Sequence, residues 1–153
     1  MPSQVIPCKD ISITGGFWRE MQTRNRDVTV PAVRARFLET GRFAALDFSK
    51  PWDEGQKPHI FWDSDIAKWL EAAAYILQKE HDPQLEQAVE EAVSLIEKNQ
   101  GEDGYFNSCF MRAEPEKRWK LKQAPPHSAK RKLFRYSIIA IRIKPKVFFI
   151  RWR

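Results

Sequence analysis

His59-Ile60-Phe61-Trp62-Asp63-Ser64-Asp65-Ile66-Ala67-Lys68-Trp69-Leu70-Glu71 is the stretch that decides the fold class. Ile66, Trp69, Leu70, Ala73 and Leu77 recur with the 3, 4, 7, 11 spacing of one buried helical face. Lys68, Glu71, Gln78 and Lys79 fall on other faces. Asp63 or Ser64 is expected to cap this helix, with Asp65 favoured in the first turn by the helix dipole.

A second helix follows closely. Asp82-Pro83 reads as a cap followed by proline at the first helical position. Leu85, Ala88 or Val89, Ala92 and Ile96 form its apolar stripe, Lys98 suits its last turn, and Gly101 ends it. The short link through His81 and Asp82 makes the two helices antiparallel neighbours. Asp103-Gly104 then predicts a tight turn before an extended Tyr105-Phe106-Asn107.

Upstream, Ile11-Ser12-Ile13-Thr14 alternates into Gly15-Gly16, which reads as a short strand and turn with Phe17 and Trp18 as an aromatic anchor. Another helix is expected from near Thr29 to Thr40. Pro31 lies in its first turn, Val30, Val33 and Phe37 share a face, and Gly41 acts as a left-handed cap. Asp47 to Pro58 is loop.

Length and charge bound the rest. The 153 residues suit about one domain, and 42% hydrophobic content suits a buried core. The N-terminus lacks a signal-peptide core, and no run reaches the length of a membrane span, so a cytoplasmic location is the default expectation. The formal charge of +6 averages two unlike segments. Residues 1–116 hold 13 Lys/Arg against all 20 Asp/Glu, a balance of −7, whereas residues 117–153 hold the other 13 Lys/Arg and no acid, a balance of +13. From Lys117 onward the helix grammar stops. Pro125-Pro126 breaks the chain, and Leu133 to Arg153 alternates apolar and basic residues.

Few residues offer chemistry. Cys8 and Cys109 read as two reduced thiols, or as a lone pair bridging a long loop, and neither has metal-ligand spacing. His59, His81 and His127 show no metal spacing either. Asp63 and Asp65 read as an acid/base pair or as helix-start charges, and residues two apart on a helix do not face one another. Phe61 and Trp62 are candidates to stack on a sugar ring, with packing between helices as the plainer role. The basic, aromatic tail could attract nucleic acid or an anionic membrane.

Gly16-Phe17-Trp18, Thr40-Gly41-Arg42, Phe61 through Tyr75, Gln100-Gly101-Glu102-Asp103-Gly104-Tyr105-Phe106 and Arg118-Trp119 occur in the order and spacing of a known family. Over about residues 11–119 the chain resembles the N-terminal part of the β-L-arabinofuranosidases, glycoside hydrolase family 127. The Asp-Ser-Asp-x-x-Lys-Trp block is the specific element.

The resemblance implies an (α/α)6-barrel catalytic domain followed by β-sandwich domains. It also implies retaining removal of terminal β-L-arabinofuranose. The implied nucleophile is a cysteine thiolate on a zinc held by three Cys and one Glu, with a separate Glu as acid/base, unlike the usual two-carboxylate scheme.

The chain departs from that pattern after Arg118-Trp119. The family continues with His-Glu-Leu-Tyr, while this chain reads Lys120-Leu121-Lys122-Gln123-Ala124-Pro125-Pro126-His127-Ser128. The expectation is therefore an all-α, incomplete (α/α)6-barrel fragment with a short N-terminal strand and an irregular basic C-terminal tail. Residues 1–119 are the partial catalytic domain, and 120–153 an unrelated tail, out of frame or disordered. Substrate-side candidates are Phe61, Trp62, Asp63 and Asp65. No catalytic residue, metal ligand or cofactor is expected in this chain. Zinc and arabinofuranoside substrates belong to full-length relatives. The alternative is a non-enzymatic module whose tail binds nucleic acid or membrane.

Overall fold

The computed structural model of the protein describes residue 6, residues 10–53 and 55–118, and the backbone of residues 139–143 and 146–150. Four α-helices dominate: α1 (Gly16–Arg24), α2 (Val30–Glu39), α3 (Trp62–Leu77) and α4 (Pro83–Asn99).

α1 and α2 form one rod, joined by a π-type turn over Asn25–Thr29. α2 starts where a helix from near Thr29 was expected, and the helical path extends further back through α1 to Gly16. Pro31 sits inside the rod, where it cannot donate the helical hydrogen bond and its ring crowds the preceding turn. The wider turn just before it relieves that crowding, with the Val30 N–H donating to Asn25 O, five residues back. α1 escapes a periodicity search because it buries no residue. The rod ends as expected at Gly41, whose φ of 76° is left-handed and whose turn is closed by Arg42 N donating to Phe37 O at 2.9 Å.

Residues 11–14 carry no regular structure, which corrects the expected strand. A strand needs a neighbour for its backbone groups, and among the described residues none runs beside it. The Ile11 carbonyl instead accepts a hydrogen bond from Lys79 Nζ, just past the end of α3.

α3 packs between α2 on one side and α4 on the other. Its buried face is Ile66, Ala67, Trp69, Leu70 and Ala73, which meets Ala88, Val89, Ala92, Val93 and Ile96 of α4. Trp69 ties the rod to this core. Its Nε1–H donates to Val30 O at 3.0 Å, and its ring meets Phe43 edge-on at 5.3 Å. No helix among the described residues is long and apolar enough to cross a membrane.

The tail expected to be irregular contains two strands, β1 (Ile139–Ile143) and β2 (Lys146–Ile150), paired antiparallel with Ile139 opposite Ile150 and Ile143 opposite Lys146. In β1, Ile141-Arg142-Ile143 has the two-residue period of a strand, whereas β2 is apolar from Val147 to Ile150.

The two helix starts differ. Asp82 caps α4, its carboxylate accepting from the Gln84 and Leu85 N–H groups at 3.0 Å each. α3 has Phe61 at the cap position and no side-chain cap. Ser64 only donates its hydroxyl to Phe61 O, at 2.7 Å. Asp82→Ala is therefore expected to cost about 1 kcal/mol of stability, and Ser64→Ala less than about 0.5 kcal/mol. Urea unfolding measures both, and equal losses would contradict this assignment.

Candidate functional site

Antiparallel packing brings the start of α3 and the end of α4 to one end of the helix pair. There the chain leaves α4 through a tight turn. Gly101 N donates to Tyr105 O at 2.9 Å, Gly104 N donates to Gly101 O at 2.8 Å, and Gly104 has a φ of 78°. Arg118 lies over the Tyr105 ring at 4.0 Å and pairs with Asp103 at 2.8 Å. Phe106 then enters the core, 1% exposed, and a π-type turn follows over Cys109–Ala113.

Asp63 meets this segment. The sequence suggested a cap, but the structure puts the residue in the first turn of α3, 4% exposed. Its Oδ2 accepts from the Ser108 N–H at 2.8 Å. Among the described residues, Asp63 Oδ1 and the Ser108 hydroxyl, both buried, have no hydrogen-bond partner. Burial pushes the Asp63 carboxyl up to about 6, with Ser108 offsetting part of the shift. Asn107 adds a second tie, with its Nδ2 donating to Ile60 O at 3.4 Å and its Oδ1 accepting from Phe110 N at 2.9 Å.

Asp65 lies elsewhere on the helix. Arg42 Nε and Lys68 Nζ each approach it at 3.4 Å. Arg42 also covers the Trp62 ring at 5.4 Å and the Phe37 ring at 5.0 Å. The four residues singled out from sequence thus divide. Asp63 turns inward to Ser108, Asp65 is engaged by two cations, and Phe61 and Trp62 are half-buried at the helix start. The Phe61 ring rests against His59 at 5.2 Å.

Sequence reasoning missed Ser108, Asn107, Arg42 and Arg112, because each acts through partners far along the chain. Arg112 donates to Ala45 O at 3.0 Å and to Lys50 O. Its guanidinium lies 5.2 Å from both the Phe48 and Trp52 ring centroids.

The zinc set that the family resemblance implies does not fit the described residues, since no three His, Cys, Asp or Glu side chains converge. Cys109 is buried and unpaired. Desolvation, and then the nearby Glu114, raise its pKa and so favour the thiol over the thiolate a metal would bind. Cys8 lies outside the described residues. A groove of about 300 Å³ runs between residues 11–13, α1 and the far end of α3, beside Arg19, Arg26, Tyr75 and Lys79. It holds none of the four candidates.

The raised Asp63 pKa has a definite stability signature. The folded chain keeps this proton from about pH 4 to about pH 6, while the unfolded chain, with the carboxyl at 3.8, loses it. The contribution of Asp63 to stability is therefore greatest below pH 4, falls as pH rises through that window and stays low above it. Asp63→Asn removes the titration and can still accept from Ser108 N–H. The variant is expected to gain on the parent across the window, by an amount on the order of 2–3 kcal/mol above pH 6. Urea unfolding at several pH values checks this, and a difference independent of pH would rule it out.

Comparison with known proteins agrees with this architecture. Residues 10–130 match the family described as β-L-arabinofuranosidase, GH127 catalytic domain. The match reaches past Trp119 into residues outside the described ones. The non-reducing end β-L-arabinofuranosidase of Bifidobacterium longum subsp. longum is 45% identical over 51 residues, covering 33% of this chain and 8% of that protein. The solved GH127 β-arabinofuranosidase BT3674 superposes with a TM-score of 0.57 at 24% identity, over 69% of this chain and 17% of that one. The chain thus spans less than a fifth of either relative, and the helical arrangement is shared. The chain belongs to the β-L-arabinofuranosidase family of GH127 catalytic domains.

Proposed function

We propose that this chain carries one wall of a β-L-arabinofuranoside pocket and does not itself break the glycosidic bond. The observation that carries this reading is the family match over residues 10–130, together with the start of α3 at the loop end of the helix pair. Phe61 and Trp62 offer half-buried rings there for a sugar face. Asp65, set between Arg42 and Lys68, supplies an acceptor among donors, the mixture that sugar hydroxyls pair with. Asp63 acts one layer deeper, by fixing the 107–113 turn beside that wall.

Two features support the absence of turnover. The two carboxylates point to different partners, whereas carboxylate-based retaining hydrolysis needs a convergent pair roughly 5–5.5 Å apart. Cys109 is held toward its thiol form, so it is a poor nucleophile. Arabinofuranosides are the substrate class because the B. longum relative is a non-reducing end β-L-arabinofuranosidase. The purified chain should release no nitrophenol from nitrophenyl β-L-arabinofuranoside above a buffer blank. Release that scales with protein concentration would overturn the reading.

The charge segregation favours a second reading, in which the segment from residue 117 is a polyanion-binding arm. Its 13 cations face no acid in the same segment. DNA or anionic-vesicle binding should then weaken about tenfold or more between about 50 and 200 mM salt, as even a few phosphate contacts require. Binding that persists after deletion of residues 120–153 would remove the arm from consideration.

A further inference from the structure

A stack of four planar groups runs from the core to the surface at the same end of the helix pair. Phe106 is 1% exposed. Phe48 stacks on it at 5.7 Å and 20°. The Arg112 guanidinium lies 5.2 Å from the Phe48 centroid and 5.2 Å from that of Trp52. Trp52, the outermost layer, is 37% exposed.

Each layer below Trp52 is fixed. Arg112 is held by the Ala45 and Lys50 carbonyls. Phe106 is followed directly by Asn107 and Ser108, which bond Ile60 and Asp63. Immediately before Lys50, Ser49 closes the loop onto Asp47, its N–H at 3.1 Å and its hydroxyl at 2.6 Å from Oδ1. Those bonds hold the Asp47 carboxyl below the usual range. The exposed indole is therefore presented by a rigid support.

We propose that the outer face of Trp52 is a stacking platform for the apolar C–H face of a sugar ring, a subsite separate from Phe61 and Trp62. The inference rests on the carbohydrate reading above. A sugar suits the patch by size and surroundings. One indole is about as large as one ring, whereas a protein partner needs on the order of 800 Å² from each side. The residues around Trp52 in the loop, Lys50, Pro51, Asp53 and Lys57, are exposed and mostly charged, which suits sugar hydroxyls and not a dry protein contact. Arg112 uses two of its N–H groups on carbonyls, and a guanidinium has others to offer a hydroxyl at the ring edge.

Saturation-transfer NMR on the full chain with methyl β-L-arabinofuranoside tests the platform, with circular dichroism confirming that each variant folds. Transfer to the sugar ring protons is expected for the parent chain. It should weaken about tenfold in Trp52→Ala, a loss of about 1.4 kcal/mol, be largely kept in Trp52→Phe, and be little changed in Trp18→Ala, an exposed indole on α1. Loss in Trp62→Ala with retention in Trp52→Ala would overturn the platform and leave the pocket wall standing. No transfer to the parent chain would also overturn it, while the inactivity claimed above is judged separately by nitrophenol release.

Discussion

The Asp63–Ser108 hydrogen bond is the contact on which the site end of the molecule depends. Burial to this degree disfavours the charged carboxylate and raises its pKa to about 6, and the protein uses the side chain as a clasp. The clasp fixes the segment after the Gly101–Gly104 turn against the first turn of α3. Phe106 is thereby set in the core, Arg112 reaches back to residues 45–50, and the loop leading to Trp52 and Trp62 gains a floor. Removing the clasp would free several layers together, because they share one short stretch of backbone.

How much of this could be read from sequence follows from the range of the forces involved. α3 and α4 were legible because their buried faces repeat locally, and Asp82 was legible because a cap bonds to its own next turn. Gly41 was legible because few other residues accept its backbone angles. α1 was not. Phe17 and Trp18 remain 61% and 67% exposed, so no buried stripe marks the helix. The strand expected at residues 11–14 failed for the opposite reason: the alternation was present and the partner strand was not.

The site divided in the same way. Phe61, Trp62 and Asp65 lie where a helix start would put them. Asp63 resembled a cap because aspartate before an apolar run usually is one. Its actual partner is 45 residues away, and nothing local announces Ser108. Arg112 and Trp52 likewise meet only after two loops have closed, so a sequence scan sees an isolated arginine and an isolated tryptophan.

The rod shows what packing leaves unsettled. Its inward face gives the core Val30, with Val33 and Phe37 packed against it, while Phe17, Trp18, Val28 and Leu38 point outward. Each is unremarkable singly, since folded surfaces are largely apolar. Four along one 24-residue rod are a different matter, because α1 buries no residue and the α2 half carries the main packing on α3. The rod therefore draws little stability from burial over its first turns. Its helical state there relies on intrinsic propensity and on continuity through the π-type turn. Opening should begin at α1 and stop where Trp69 grips the Val30 carbonyl, the first point along the rod at which the backbone is tied to the core.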